Sequence, residues 1–231
     1  VGTANTDETF SGLIENKDAS GNDRTSSGGQ VSITKVGTGY WRLAGKNSYS
    51  GATNINEGML IVNGTHSGTG IVTVAADATL AGQGTLAAPV NVNGILQSGD
   101  ELANGKGLTV NNSVRLNNGS ELNILSSQKT SNTLTVSSLT IGTNVTLVLT
   151  GDVLTNTPAV GTQFQVIKSS GTISGRFAEI LPATPGDGLQ WDTSALYTSG
   201  ILKVIGEGDE PGEEPVVEPV IEKHTAVLNW D

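Results

Sequence analysis

The chain has 231 residues, a net charge of −10 and no cysteine, which excludes disulfides, thiol nucleophiles and thiolate metal sites. Only 15% of residues are charged, while glycine reaches 31 of 231 beside abundant Thr, Ser and Asn, a composition of strands and turns. Residues 206–231 hold eight acids and one base, leaving 14 acids and 11 bases in the first 205. The low isoelectric point therefore describes a tail, and neither portion offers the basic stripe that a nucleic-acid backbone requires. No stretch approaches the ~20 apolar residues of a transmembrane helix, so no membrane insertion is expected of this segment. The chain opens on Val1 without an initiator Met, and a mature form or a fragment is expected.

In chain order, residues 1–30 are polar and Gly-rich and are expected to join a preceding coil. From Val31/Ile33 onward, short runs alternate apolar and polar residues. They include Ile55, Leu60/Val62, Val72/Val74, Val90/Val92, Leu108/Val110, Leu122/Ile124, Leu134/Val136, Leu139/Ile141, Val145/Leu147/Leu149, Phe164/Val166 and Leu202/Val204. Each reads as a half-buried strand. Between them, Asn63-Gly64, Asn93-Gly94, Asn104-Gly105 and Asn118-Gly119 predict tight turns with positive φ. The run Glu213 to Lys223 is rich in helix formers but is interrupted by Pro215 and Pro219.

Two architectures accommodate such strands: an antiparallel sandwich, or a solenoid in which each strand stacks on the one a full coil earlier. Recurrence favours the solenoid. Leu60 is echoed by Leu80, Leu96, Leu122 and Leu147 at steps of 20, 16, 26 and 25 residues, a constant core with loops of unequal length. The expected fold is all-β, a single-stranded parallel β-helix over residues 1–205. With ~20 residues per coil it would hold about ten coils and extend ~45–50 Å. Residues 206–222 read as a disordered acidic Pro/Glu-rich linker, and residues 223–231 as the start of a further module or tail.

The stretch from Lys35 to Leu60 is the most distinctive. Lys35, Gly37, Gly39, Trp41, Leu43, Gly45, Asn47, Tyr49, Gly51, Thr53, Gly58 and Leu60 stand at the spacing of the autotransporter-associated β-strand repeat, also called the passenger-associated transport repeat. The resemblance covers residues 33 to about 100, continuing through Thr79-Leu80-Ala81-Gly82 and Gly94-Ile95-Leu96. Residues 175–205, with Phe177, Trp191 and Tyr197, resemble the closing cap of such regions. The resemblance implies a right-handed parallel β-helix in a secreted or cell-surface protein of a Gram-negative bacterium. In that family the repeat assists export or serves as a stalk, and a non-catalytic structural segment, acting as a stalk or spacer, is expected here. Nothing at the C-terminus resembles an outer-membrane translocator barrel.

Candidate residues follow from both readings. Gly45, Asn47, Tyr49, Gly51, Thr53 and Gly58 are expected to hold the coil geometry. Tyr40, Trp41, Tyr49 and Trp191 are candidates for stacking on sugar rings, the alternative being a glycan-binding accessory module of a secreted polysaccharide-degrading protein. For Trp191 with Tyr197, capping of the last coil is the weightier expectation. Asp77, Asp100, Glu101, Glu121 and Asp152 read as solvated turn residues with no spacing that pairs two for acid–base work. Asp187 and Asp192 flank Trp191 with oxygen ligands, but no calcium-roll pattern accompanies them. His66, in a Gly/Ser/Thr turn, and the distant His224 suggest neither a metal site nor a base. No cofactor and no metal are expected. The expected partners are flanking modules of the same polypeptide and an extracellular polysaccharide.

Overall fold

Alternating apolar residues at near-constant spacing wind the chain into a three-faced parallel β-helix. The computed structural model describes residues 5–17, 20–23, 29–100, 106–125, 132–151 and 157–212. The first face is an 8-stranded parallel sheet: Glu8–Phe10, Tyr40–Leu43, Gly58–Val62, Ala78–Gly82, Ile95–Ser98, Glu121–Leu125, Thr146–Thr150 and Glu179–Leu181. The second and third faces belong to one 11-stranded sheet. On the second lie Lys46–Asn47, Thr65–His66 and Thr85–Leu86; on the third, Ile33–Lys35, Thr53–Ile55, Val72–Val74 and Val90–Val92. The strands Thr109–Leu116 and Leu134–Ile141 then serve both faces, their front halves on the second and their rear halves on the third. Ile167–Ser169 and Ile173–Ser174 complete the two ladders.

Register explains the recurrence. One inward column reads Trp41, Leu60, Leu80, Leu96, Leu122, Leu147, Ile180, each residue paired with the next. The five leucines are at most 1% exposed. A second column reads Lys35, Ile55, Val74, Val92, Leu116, Ile141. Aliphatic side chains stack on their own kind because parallel pairing brings equivalent positions within ~4.8 Å at every turn.

The first face carries eight rungs rather than ten, so the stack rises about 34 Å over seven steps. The difference lies in the later coils, where the register partners Leu96, Leu122, Leu147 and Ile180 stand 26, 25 and 33 residues apart rather than ~20. Near the N-terminus, Glu8–Phe10 pairs in parallel with residues 41–43 and adds a rung ahead of the repeat. At the other end the parallel stack gives way to a 3-stranded antiparallel sheet of Gln163–Gln165, Ile201–Gly206 and Leu189–Asp192. Leu196, Leu202 and Val204 from this cap are 0% exposed and close the core. The predicted cap of residues 175–205 thus begins later and recruits an earlier strand, since Glu179–Leu181 still belongs to the parallel stack.

Two further expectations change. Of the described Asn-Gly glycines, Gly119 has the predicted positive φ of 77°, but Gly64 and Gly94 do not. Those two are required by close approach: a Cβ on Gly64 would strike the carbonyl oxygen of Gly45, and one on Gly94 those of Ala75 and Ala78. The linker also starts later than residue 206. The Gly212 N–H donates to Asp192 Oδ2 at 3.0 Å, Gln190 Nε2 donates to the Asp209 carbonyl at 3.0 Å, and residues 206–212 thereby dock on the cap. The remainder of the predicted linker and residues 223–231, with His224, lie outside the described residues.

Candidate functional site

The motif residues converge on the interior and corners of the first complete coils. Asn47 sits inward on the second face, 2% exposed, its Oδ1 accepting the Ile14 N–H at 3.1 Å. It thereby ties its coil to the rung above. Tyr49 is 1% exposed and Thr53 1%, and their hydroxyls share a hydrogen bond of 2.7 Å. Burial pushes the Tyr49 hydroxyl above its usual pKa, with the Thr53 bond acting the other way. A tyrosine so enclosed presents no face to a sugar, and Tyr49 leaves the set of candidate stacking residues.

Glycine does two jobs here. At the corner between first and second faces, Gly45, Gly64 and Gly84 stack in consecutive coils, and a Cβ on any of them would collide with the backbone carbonyl of the coil before. Gly51 meets the Val31 carbonyl in the same way at the next corner. Gly58 combines both demands: its φ is +63°, and a Cβ would run into the carbonyls of Gly37 and Gly39.

Lys35, named in the motif without a role, is 0% exposed. Its Nζ donates to the carbonyls of Gly37 at 2.7 Å, Val36 at 2.9 Å and Glu57 at 3.3 Å. Glu57 in turn accepts the Gly37 N–H at 3.1 Å. The lysine is a turn pin, satisfying carbonyls that the tight corner of residues 36–39 leaves unpaired. Burial lowers its pKa, opposed by the charges of Glu57 and Asp7.

His66 is a larger departure. It stands on the inward side of its strand, between Asn47 and Leu86 in register, and is 1% exposed. Its ring stacks on Tyr49 with centroids 4.1 Å apart, and neither ring nitrogen reaches a partner with full hydrogen-bond geometry. Burial drives its pKa below 6.5, opposed by the nearby Asn47 carbonyl. The sequence signal was the second-coil register His66-Ser-Gly-Thr-Gly70 beneath Asn47-Ser-Tyr-Ser-Gly51, which places His66 under a core position.

The aromatic candidates separate. Trp41 points inward in the leucine column, tilted against Phe10 at 6.2 Å. Tyr40 lies on the outward side of the same strand with the Arg42 guanidinium over its ring at 5.0 Å. Trp191 donates its indole N–H to the Pro182 carbonyl at 2.8 Å and meets Phe164 edge-on at 5.9 Å. Tyr197 accepts the Phe177 N–H at 3.2 Å. Trp191 and Tyr197 are therefore built into the cap.

The acids also sort by geometry. Asp77 and Asp187 are exposed, and Glu101 and Asp152 lie outside the described residues. Asp100 is 3% exposed rather than solvated. It accepts a 2.6 Å bond from Asn63 Nδ2 and lies 3.7 Å from Arg42 Nε, so the chain after Ser98 doubles back across earlier rungs. Asp192, 3% exposed, accepts the N–H groups of Ser194 and Gly212. Burial disfavours its charge, but those bonds and Lys203 outweigh it and hold its pKa below 3.8. Its oxygens are committed to the cap. Among the described residues no three side chains of His, Cys, Asp or Glu converge. No described helix is long and apolar enough to cross a membrane.

The arrangement fastens coils to one another through named polar bonds. No curated protein matches the chain. The repeat implies a secreted or surface-exposed bacterial protein and is compatible with a structural segment of a passenger domain. Residues 33–62 match the family model of the passenger-associated transport repeat, and the chain carries that repeat as one complete coil with a strand of the coil on either side.

Proposed function

We propose that this chain is a non-catalytic stalk or spacer within a larger exported protein of a Gram-negative bacterium, holding flanking modules apart. The observation that carries the reading is the unbroken inward column from Trp41 to Ile180, which makes each coil a platform for the next. Parallel stacking satisfies backbone groups between coils, so stiffness comes from the repeated unit rather than from a site. Addition of coils from one end also provides a directional way to fold during export.

Excision of one register unit, residues 59–78, tests this reading in the full-length protein. A spacer keeps its surface display and shortens by about 4.8 Å between labels at its two ends. Loss of the protein's activity while display and folding persist would overturn the spacer role.

A second reading makes the chain a glycan-binding accessory module, with an extracellular polysaccharide as partner and adhesion as the outcome. Tyr40 supports it, as an outward aromatic whose ring is backed by Arg42. Replacing Tyr40 with Ala and measuring polysaccharide retention tests that contact.

A further inference from the structure

The outer surface of the 11-stranded sheet differs from the rest of the molecule in charge and in side-chain chemistry. The outward column of the second face reads Lys46, Thr65, Thr85, Thr109, Thr135, Lys168 in register. Beside it, the third face presents Thr34, Asn54, Thr73, Asn91, Arg115, Thr140 and Ser174. Neither column contains Asp or Glu; three cations stand there, in a body whose first 205 residues hold 14 acids and 11 bases. On the first face the outward column Tyr40, Met59, Thr79, Ile95, Glu121, Thr146, Glu179 carries the acids instead. Acids stand in that column of the first face, while Arg42 is the cation of the outward column beside it.

The hydroxyls of the four second-face threonines are also uncommitted. Among the described residues, none of Thr65, Thr85, Thr109 and Thr135 directs its side chain to a hydrogen-bond partner in the protein, whereas neighbouring polar side chains such as Asn112 and Ser67 bond to backbone carbonyls. Parallel register spaces the four at about 4.8 Å, and separates the terminal lysines by about 24 Å.

We infer that this column docks an extended acidic polysaccharide running along the helix axis, a uronic-acid polymer being the fitting class. The inference rests on the polysaccharide partner of the second reading, but places it on a different face and independently of any stalk role. A polyuronate offers hydroxyls at every sugar to the threonines and carboxylates to Lys46, Lys168 and Arg115. The positive sheet is where such a polymer escapes repulsion from the acidic remainder. Nucleic acid fits less well: its charge repeats about every 3.4 Å per strand, and three cations over this length answer few of those phosphates.

Affinity electrophoresis of the intact chain in gels containing polygalacturonate, with hydroxyethyl cellulose as neutral control, tests the inference. The expected result is retardation by polygalacturonate alone at low salt. Lys46→Glu with Lys168→Glu weakens it about tenfold or more, and Thr85→Val with Thr109→Val weakens it by a similar factor, a loss of about 1.4 kcal/mol for each pair. These side chains lie outside the core, and melting curves matching the parent confirm that the variants fold. Three results overturn the inference. One is no retardation; another is retardation indifferent to the threonine variants, which reduces it to net charge. The third is retardation abolished by Tyr40→Ala but not by the sheet variants, which transfers binding to the first face. Coil excision reads spacing and display, so failure here leaves the spacer test standing and failure there leaves this one.

Discussion

The coils of residues 33–66 and those of residues 72–149 share one fold and differ in how their interiors are filled. In the first, Lys35, Asn47, Tyr49, Thr53 and His66 are buried, and four of the five make identifiable polar bonds. In the second, the equivalent columns are Val, Leu and Ile. A polar bond demands a particular residue at a particular place, whereas an aliphatic column accepts Leu, Val or Ile interchangeably at modest cost. This accounts for a family match confined to residues 33–62 in a stack that continues unchanged well beyond it.

The comparison predicts that single aliphatic truncations in the later coils do more damage than single losses in the polar repeat. Leu122→Ala should cost about 2–5 kcal/mol, because a 0% exposed side chain leaves a cavity between fixed rungs. Urea denaturation measures it, and a cost under about 1 kcal/mol would mean that the column collapses to fill the gap. Gly64→Ala comes next, at about 1–3 kcal/mol, since the opposing atoms are backbone carbonyls of the coil before and cannot turn aside. A variant as stable as the parent would show the corner to be pliant.

Within the repeat, Tyr49→Phe should cost about 1–2 kcal/mol by leaving the buried Thr53 hydroxyl alone. The double variant with Thr53→Val should recover part of that loss, which a thermodynamic cycle reads directly. The smallest effect has the clearest sign. Burial lowers the His66 pKa from 6.5, so the unfolded chain binds the proton first as the pH falls below that value. Stability contributed by the neutral ring is present above pH 6.5 and is lost progressively below it, until the buried ring itself protonates. His66→Leu continues the column toward Leu86 and should flatten melting temperature between about pH 7.5 and about 5. An unchanged slope would place the acid sensitivity elsewhere.

The leucine echo was legible because parallel stacking translates register directly into sequence spacing: Leu60, Leu80, Leu96, Leu122 and Leu147 are partners in space as they were in the pattern. The corner glycines were legible as necessary, but for a different reason than the one that holds at Gly64. Composition foresaw turn chemistry; only the adjacent coil supplies the carbonyl that excludes a Cβ. Asp100 was misplaced because its partners, Asn63 and Arg42, stand 37 residues or more away and no local pattern announces them. Tyr49 looked available for stacking because a turn motif does not state which side of the turn faces the core.

By itself the sequence determined the periodicity, the strands, the aliphatic columns and the identity of the repeat, since all of these are properties of spacing along one dimension. Tertiary structure decided which polar side chains are enclosed, where the antiparallel cap begins, and how charge divides between the faces. Those depend on which coil lies against which. The unequal sequence steps between register partners, from 16 residues at Leu80–Leu96 to 33 at Leu147–Ile180, make that relation readable only once the coils are stacked.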